Sequence, residues 1–254
     1  MSVMRRDFEG TCAKDLQEPS SNEDHFEVSE DGLRVALCDG ASDSYNSRLW
    51  AKIISRKFAS DPRFSPDWLS DALKEYVAAH DFPTMSWSQQ AAFERGSFCT
   101  LLGIEHDTIN HAVDVFAVGD SISILIDEDR FVAAWPFDDP ERFKEHPTLF
   151  ATLTQHNDFV GEPGFWGRSV TTFHMRNYRN PRLLCMTDAI GEWALRHALA
   201  GTDGISRLVA LTTEEQLCSL VREERAAKRM RVDDSTLIVL SFEGPTDGNG
   251  IPVV

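Results

Sequence analysis

The order of apolar patterns along this 254-residue chain predicts an α+β fold, in which strands and helices form separate layers. Short apolar runs rich in β-branched or aromatic residues predict strands, and apolar residues spaced by three or four positions predict helices. These segments occur in blocks instead of alternating as they do in a parallel β/α fold. No Gly-, Ser- or Pro-rich linker divides the sequence, so we expect one domain over residues 1–243 and a frayed tail over residues 244–254.

The strand candidates are short, and most lie in the middle of the chain. They are Leu33–Cys38, Ser97–Glu105, Ala112–Val118, Ser121–Ile126, Phe131–Trp135, Val170–Met175, Arg182–Met186 and Thr236–Phe242. Within the stretch AVDVFAVGDSISILI, Gly119 and Asp120 form a corner between two of them. So short a connection predicts that these two strands are antiparallel neighbours in a sheet.

Helical periodicity fills the intervals between the strand candidates. The helix candidates are Ser44–Ala59, Pro66–Ala79, Ser86–Arg95, Asp188–Ala200 and Thr213–Met230. The last begins TTEEQ, with a threonine suited to capping and glutamates in the first turn. Residues 136–167 have the least regular pattern, and a loop of that length is typically functional or mobile.

Composition narrows the classes of function. A formal charge of −16 argues against general nucleic-acid binding, which depends on lysines and arginines that meet phosphates. No apolar run is long enough for a membrane span, and no secretory signal pattern opens the sequence. The five cysteines are scattered without a CxxC pair, which indicates reduced thiols in a cytoplasmic protein.

Several acidic residues stand directly at the ends of predicted strands. They are Glu23, Asp24, Asp39, Asp120, Asp188 and Asp233. Like charges gathered at one edge of a sheet cost free energy unless cations neutralise them or some take up protons. Carboxylate and carbonyl oxygens are the ligands that Mg²⁺ and Mn²⁺ prefer, and Gly40 beside Asp39 lets a backbone carbonyl approach an ion. The pattern predicts a cluster of divalent ions.

Six motifs in series resemble those of the metal-dependent protein phosphatases of the 2C type, in their bacterial branch. The motifs are NEDHF, VALCDGAS, GSFCTLLGI, FAVGDSISIL, LLCMTDAIGEW and DDSTLIVL, and the resemblance covers residues 10–243. The resemblance implies a four-layer α-β-β-α sandwich with two central antiparallel sheets. It also implies that Asp39 bridges two ions, with Asp188 and Asp233 completing one site and Glu23 and the Gly40 carbonyl completing the other.

The resemblance extends to chemistry and partners. Asp24 would orient a bound water, and Asp120 with Asp188 would bind a weaker third ion. The implied activity is hydrolysis of phosphoserine or phosphothreonine in a protein, with attack by a hydroxide that bridges two ions and is held by Asp39. The implied partners are a phosphorylated protein substrate and a cognate serine/threonine kinase, with neither nucleic acid nor membrane.

The sequence departs from the family pattern at the residues that would grip phosphate. Pro19 stands where the family commonly has an arginine, and we consider Lys14, Arg5 and Arg6 as substitutes. Ala41 replaces a histidine that some members have. These departures keep open a second hypothesis, a weak or inactive phosphatase fold that serves as a binding module. A two-metal nuclease fits the carboxylates but not the negative charge or the motif series.

Overall fold

A computed structural model describes residues 2–243, which form two antiparallel five-stranded sheets and a short two-stranded one. Sheet A has the order β1-β12-β11-β7-β8, sheet B the order β10-β6-β5-β3-β2, and β4 pairs with β9. The strands are β1 Val3–Cys12, β2 His25–Val28, β3 Arg34–Cys38, β4 Phe98–Cys99, β5 Leu101–Asp107, β6 Ala112–Val118, β7 Ile122–Asp127, β8 Arg130–Trp135, β9 Phe150–Ala151, β10 Val170–His174, β11 Pro181–Met186 and β12 Ser235–Glu243. The α+β class predicted from the sequence is confirmed.

Helices cover the outer face of each sheet. They are α1 Ser47–Ser60, α2 Pro66–Ala78, α3 Trp87–Glu94, α4 Phe165–Ser169, α5 Asp188–Ala200, α6 Gly204–Val209 and α7 Glu214–Ala226. Helices α1 and α2 pack with sheet B, and α5, α6 and α7 pack with sheet A. The order of layers is therefore α-β-β-α, as the family resemblance implies.

Three apolar clusters hold these layers together. One lies between the sheets and includes Leu37, Leu125 and Ile238, all buried. The second joins sheet B to α1 and α2 around Trp50, and the third joins sheet A to α5 and α7 around Trp193. Alternate residues of a strand face opposite sides of its sheet, so each central strand contributes to the inner cluster and to one outer cluster.

The corner at Gly119 differs from the sequence prediction. Strands β6 and β7 are not antiparallel neighbours, because β6 belongs to sheet B and β7 to sheet A. Gly119 has a φ of +103°, and a Cβ there would lie 2.6 Å from the Cγ2 of Thr100. A glycine tolerates this backbone conformation and this close approach, so the chain crosses from one sheet to the other in a single tight corner.

Two other predicted elements have different bounds. The predicted strand Ser97–Glu105 is divided at Thr100, whose backbone N–H donates to the Asp39 carbonyl and whose hydroxyl accepts from the Asp39 N–H, both at 2.9 Å. The predicted helix Thr213–Met230 ends at Ala226, because Lys228 adopts a left-handed φ of +57° that terminates it.

The predicted tail over residues 244–254 lies outside the described residues. Strand β1 was absent from the periodicity-based strand candidates, although it pairs with β12 over nearly its whole length. None of the helices within residues 2–243 combines the length and apolar character needed to cross a bilayer.

A buried carboxylate fixes α7 against α5 and α6. The Glu224 side chain is fully buried and accepts hydrogen bonds from Trp193 Nε1 at 3.0 Å, Arg207 Nη1 at 2.8 Å and Arg229 Nε at 2.7 Å. The hydrogen bonds from Arg229, and then those from Arg207 and Trp193, outweigh the effect of burial and lower the pKa of Glu224 from 4.5 to about 2.

We expect Glu224→Gln to destabilise the fold by about 2–3 kcal/mol at pH 7, because it removes the charge that the two arginines surround. Because folding lowers the pKa of Glu224, the ionised side chain contributes fully to the free energy of unfolding above pH 4.5. This contribution is lost as the pH falls towards about 2. Urea unfolding at pH 7 and pH 3 measures both effects. The difference between variant and wild type should shrink at pH 3, and an unchanged difference would contradict this account.

Candidate metal centre

The predicted site residues gather at one end of the two sheets. Each stands where a strand begins or ends: Asp24 before β2, Asp39 after β3, Asp120 between β6 and β7, Asp188 after β11, and Asp233 before β12. Met186 pairs with both Leu237 and Ile122, so the end of β11 and the starts of β12 and β7 lie side by side at this end of sheet A. Pairing of His25 with Cys38 likewise places the start of β2 beside the end of β3 in sheet B.

The Asp24 carboxylate connects the two sheets at this end. Its Oδ2 accepts hydrogen bonds from Thr236 Oγ1 at 2.7 Å and from Thr187 Oγ1 at 3.0 Å, both from the sheet A side. Its Oδ1 is buried and has no hydrogen-bond partner among the described residues. Burial, opposed by the hydrogen bond from Thr236, raises the pKa of Asp24 to about 7.

Asp39 is surrounded by other carboxylates. Burial, followed by the negative charges of Asp24, Asp233 and Asp120, raises the pKa of Asp39 well above its ordinary value. Its backbone is held on both sides by Thr100, whose hydroxyl also hydrogen-bonds to the Ser121 hydroxyl at 2.7 Å. The backbone is therefore fixed, while the carboxylate lies in a field of like charge.

Glu23 is neutralised by a lysine from the segment after β1. Its Oε2 accepts from Lys14 Nζ at 2.5 Å, and its Oε1 accepts from the Ser47 hydroxyl at 2.5 Å. Lys14 also donates to the Ser42 hydroxyl at 2.6 Å. Burial favours the neutral acid, but the hydrogen bonds from Lys14 and the two serines outweigh it and lower the pKa of Glu23.

Asp234 fixes the backbones of the two residues that form this ion pair. Its Oδ1 accepts from the Lys14 N–H at 2.6 Å and its Oδ2 from the Glu23 N–H at 2.8 Å. The residue is only 2% exposed. Both carboxylate oxygens act as acceptors here, whereas an asparagine side chain would offer a single acceptor oxygen. Asp234 therefore sets the position of Glu23.

Arg231 enters the centre from the turn before β12. Its Nη2 contacts Asp188 Oδ2, and its side chain is 34% exposed. Its charge opposes the effect of burial on Asp120, whose pKa is nevertheless raised. Asp188 Oδ1 is buried without a hydrogen-bond partner in the described part of the chain. Arg231 thus stands near two of the predicted ligands.

Gly40 permits close packing beneath the centre. A Cβ at this position would lie 2.9 Å from the Glu23 carbonyl oxygen and 2.9 Å from the Ser47 carbonyl carbon. These are backbone atoms, so a side chain at residue 40 would force apart the Glu23 segment and the start of α1. Whatever its carbonyl binds, Gly40 brings the Glu23 and Asp39 segments together.

The donor atoms suit a hard divalent ion in kind, because they are carboxylate oxygens with a backbone carbonyl nearby. Two of the acids have a buried oxygen without a partner, and Asp39 is crowded by like charges. Within residues 2–243, however, no three acidic, histidine or cysteine side chains are arranged closely enough to hold an ion. Two of the acids, Glu23 and Asp188, instead form ion pairs with Lys14 and Arg231. The residue set therefore fits such ions, but these two cations would have to move.

Two of the proposed phosphate-binding residues do not reach this centre. Arg5 pairs with Glu243, and Arg6 pairs with Glu9. Both arginines lie on β1 well before Cys12, the strand end nearest the carboxylates, and six residues of strand span roughly 20 Å. The structure brings only Lys14, of the three basic candidates, to the acids.

A cavity of about 340 Å³ opens beside Asp120, and Lys14 is not among the residues that line it. Its lining includes Arg142, His146 and Arg168 from the irregular segment over residues 136–167 and from the helix that follows it. Arg168 is paired with Glu162 at the surface. The segment thus borders the centre at Asp120 and carries charged side chains that face it.

Sequence reasoning missed several residues of the centre. Arg231 could have been noticed as the basic residue two positions before Asp233, and Thr187 as the hydroxyl directly before Asp188. Thr100 and Ser47 carry no sequence pattern that distinguishes them, since their contacts depend on which segments the fold brings together.

No family model and no curated protein sequence matches the chain. Several solved structures are similar to the chain in fold. A bacterial serine phosphatase aligns over 97% of this chain and 99% of its own, with a TM-score of 0.52 and 16% identity. The photosystem II phosphatase PBCP covers 94% of this chain and 98% of its own, with a TM-score of 0.52 and 14% identity.

The serine/threonine phosphatase PstP/Ppp of Mycobacterium tuberculosis gives a TM-score of 0.50 and 15% identity, covering 94% of this chain and 97% of its own. The likeness extends over nearly the whole length of each protein. The chain has the fold of the 2C-type serine/threonine phosphatases.

Proposed function

We propose that this protein is a metal-dependent phosphoserine/phosphothreonine protein phosphatase of the 2C type. The observation that carries the proposal is the convergence of Asp39, Asp188, Asp233 and Glu23 at one end of a phosphatase-like sandwich. Burial and then the negative charges of its neighbours raise the pKa of Asp39, and carboxylates crowded in this way favour the binding of cations.

Mg²⁺ or Mn²⁺ ions held by these acids, Asp120 and the Gly40 carbonyl would activate a water molecule and stabilise the negative charge that develops on phosphorus oxygens. The chain's own residues have separate tasks. Asp39 and Asp233 supply charge at the centre, and Asp24, with a pKa of about 7, can accept or return a proton there. Asp24 is also fixed by two threonine hydroxyls, so its free Oδ1 has a defined direction.

Lys14 and Arg231 are the basic groups best placed to hold the substrate phosphate, in the role that Pro19 cannot fill. Both now contact acids that we propose as ion ligands. Ions that neutralise those acids would release the two cations towards a phosphate group beside them. An arginine offers paired N–H donors to phosphate oxygens, and a lysine offers a point charge.

The same contacts favour a second candidate, a binding module that has the fold but no turnover. Lys14 and Arg231 form ion pairs with Glu23 and Asp188 and so balance their charges. If the cations hold these positions permanently, the acids bind no metal and the protein recognises a phosphoprotein or a kinase without hydrolysing it. Calorimetric titration with Mn²⁺ distinguishes the two, since the binding module would give no heat of binding up to millimolar ion.

Asp39 provides a test of ion binding that does not depend on activity. Folding raises its pKa, so its ionisation destabilises the folded state increasingly as the pH rises above its ordinary value. We expect Asp39→Asn to raise the thermal midpoint in EDTA by about 3 °C at pH 7.5. Mn²⁺ at 100 times its dissociation constant should raise the wild-type midpoint by roughly 5–10 °C and the variant's far less.

Asp114→Asn is the matched control for this measurement. It removes the same charge from an exposed residue of β6 that hydrogen-bonds to Thr172, remote from the centre. It should retain the full Mn²⁺-dependent rise. Equal rises in wild type and Asp39→Asn would mean that any bound ion lies elsewhere.

Hydrolysis of p-nitrophenyl phosphate with Mn²⁺ tests the activity itself. We expect Asp39→Ala and Asp188→Ala each to lower kcat/KM roughly a thousandfold, which corresponds to several kcal/mol of lost charge stabilisation in the transition state. Asp114→Asn should retain wild-type turnover. Full activity in either alanine variant would exclude this site.

Lys14→Met tests the phosphate contact. We expect KM for p-nitrophenyl phosphate to rise about tenfold, and inhibition by inorganic phosphate to weaken by a similar factor, because a charge-assisted hydrogen bond is lost. Lys74→Met, which breaks an exposed pair with Asp71 on the outer helix α2, is the control. An unchanged phosphate inhibition constant in Lys14→Met would show that Lys14 only balances the charge of Glu23.

A further inference from the structure

A groove of about 460 Å³ lies between α5 and the turn over residues 227–232. Five basic side chains line it, against the single acid Glu192, in a chain whose net charge is −16. They are Arg196, Arg225, Lys228, Arg229 and Arg231. This concentration of positive charge is unexpected on so acidic a protein, and we call it the basic groove.

Three of the five basic groups are paired with acids: Arg196 with Glu192 and Glu141, Arg229 with Glu224, and Arg231 with Asp188. The charges of Arg225 and Lys228 are not paired with any acid among the described residues. Arg225 donates to the carbonyl oxygens of Ala13 and Asp233, which carry no net charge, and its buried Nε has no partner in residues 2–243. Lys228 forms no ion pair with any described residue, and it projects from the left-handed turn that ends α7. Positive charge therefore remains available to a ligand.

The basic groove is continuous with the carboxylate centre. Arg231 lines the groove and contacts Asp188, the first residue of α5. Ala189, Glu192, Trp193 and Arg196 then follow along one face of that helix. Eight residues of helix separate Asp188 from Arg196, a rise of roughly 12 Å, which three or four extended peptide residues would span.

We infer that the basic groove binds an acidic stretch of the phosphoprotein substrate, two to four residues from the phosphorylated one. This inference rests on the proposed function for the phosphoresidue, while the groove's affinity for acidic peptide is separate from turnover. The phosphoresidue lies at the carboxylate centre, and the neighbouring Asp or Glu side chains meet Lys228, Arg196 and Arg225. Selection among substrates then depends on charge next to the phosphorylation site.

Paired peptides test this inference. Each peptide carries one phosphoserine. In one pair, the residues two to four positions N-terminal to the phosphoserine are either three glutamates or three glutamines. In the second pair, the same residues lie on the C-terminal side. For one of the two sides, we expect the wild-type kcat/KM for the glutamate peptide to exceed that for the glutamine peptide about tenfold, as several partly exposed ion pairs would produce. The ratio should approach one at 0.5 M salt, where such pairs are screened.

Lys228→Glu should reduce the ratio to about one or below, with the glutamine peptide as each variant's internal reference. Arg179→Glu makes the same charge change in the exposed turn before β11, at the opposite end of sheet A, and should keep the wild-type ratio. A wild-type ratio of one for both sides, or a ratio that survives Lys228→Glu, would overturn the inference.

Fluorescence anisotropy with a labelled, unphosphorylated glutamate peptide separates this inference from the proposed function. Binding that Lys228→Glu weakens about tenfold, and that Arg179→Glu leaves unchanged, supports the groove even if neither phosphopeptide is hydrolysed. Absence of binding in wild type, together with an unselective phosphatase activity, would reject the groove and keep the phosphatase.

Discussion

The carboxylate of Asp24 joins the two sheets at the end where the other acids collect. Its hydrogen bonds to Thr187 and Thr236 cross from sheet B to sheet A. Thr187 directly precedes Asp188, and Thr236 lies three residues after Asp233. The hydrophobic effect that packs the two sheets together is non-directional, whereas these hydrogen bonds are directional. The relative placement of Asp188 and the Asp39 side of the centre thus depends on one buried carboxylate.

The remaining architecture concentrates negative charge at that end and then balances it. Asp234 accepts two backbone N–H groups, so it adds a charge while it positions Glu23. Lys14 follows β1 and Arg231 precedes β12, and these two strands pair with each other as the edge strand of sheet A and its neighbour. The short segments that adjoin these two strands therefore also carry the cations that balance the charge of the acids.

Much of this arrangement could be predicted from the sequence. Periodicity predicted the central strands, and α5 with the observed bounds, because their residues alternate or repeat in ways that depend only on local geometry. The position of each acid at a strand end was readable for the same reason. The motif series then indicated which sheets and layers those elements form.

What the sequence did not reveal depends on contacts between distant segments. The crossing of β6 to β7 from one sheet to the other rests on how Gly119 packs against Thr100, nineteen residues earlier in the chain. Strand β1 lacks a clear apolar alternation and is defined by pairing with β12. Arg231 contacts Asp188 only because the fold places α5 beside the start of β12, so no local sequence pattern predicts this contact.

The two contacts of Lys14 with Glu23 and of Arg231 with Asp188 have a thermodynamic consequence. Cations engaged by the acids are withheld from any anion, and acids engaged by the cations are withheld from any metal. A metal that binds the acids would free the cations, and an anion that binds the cations would free the acids. Each ligand then raises the affinity for the other by the same factor, as linkage requires. Metal and phosphate would bind this centre as positively coupled ligands.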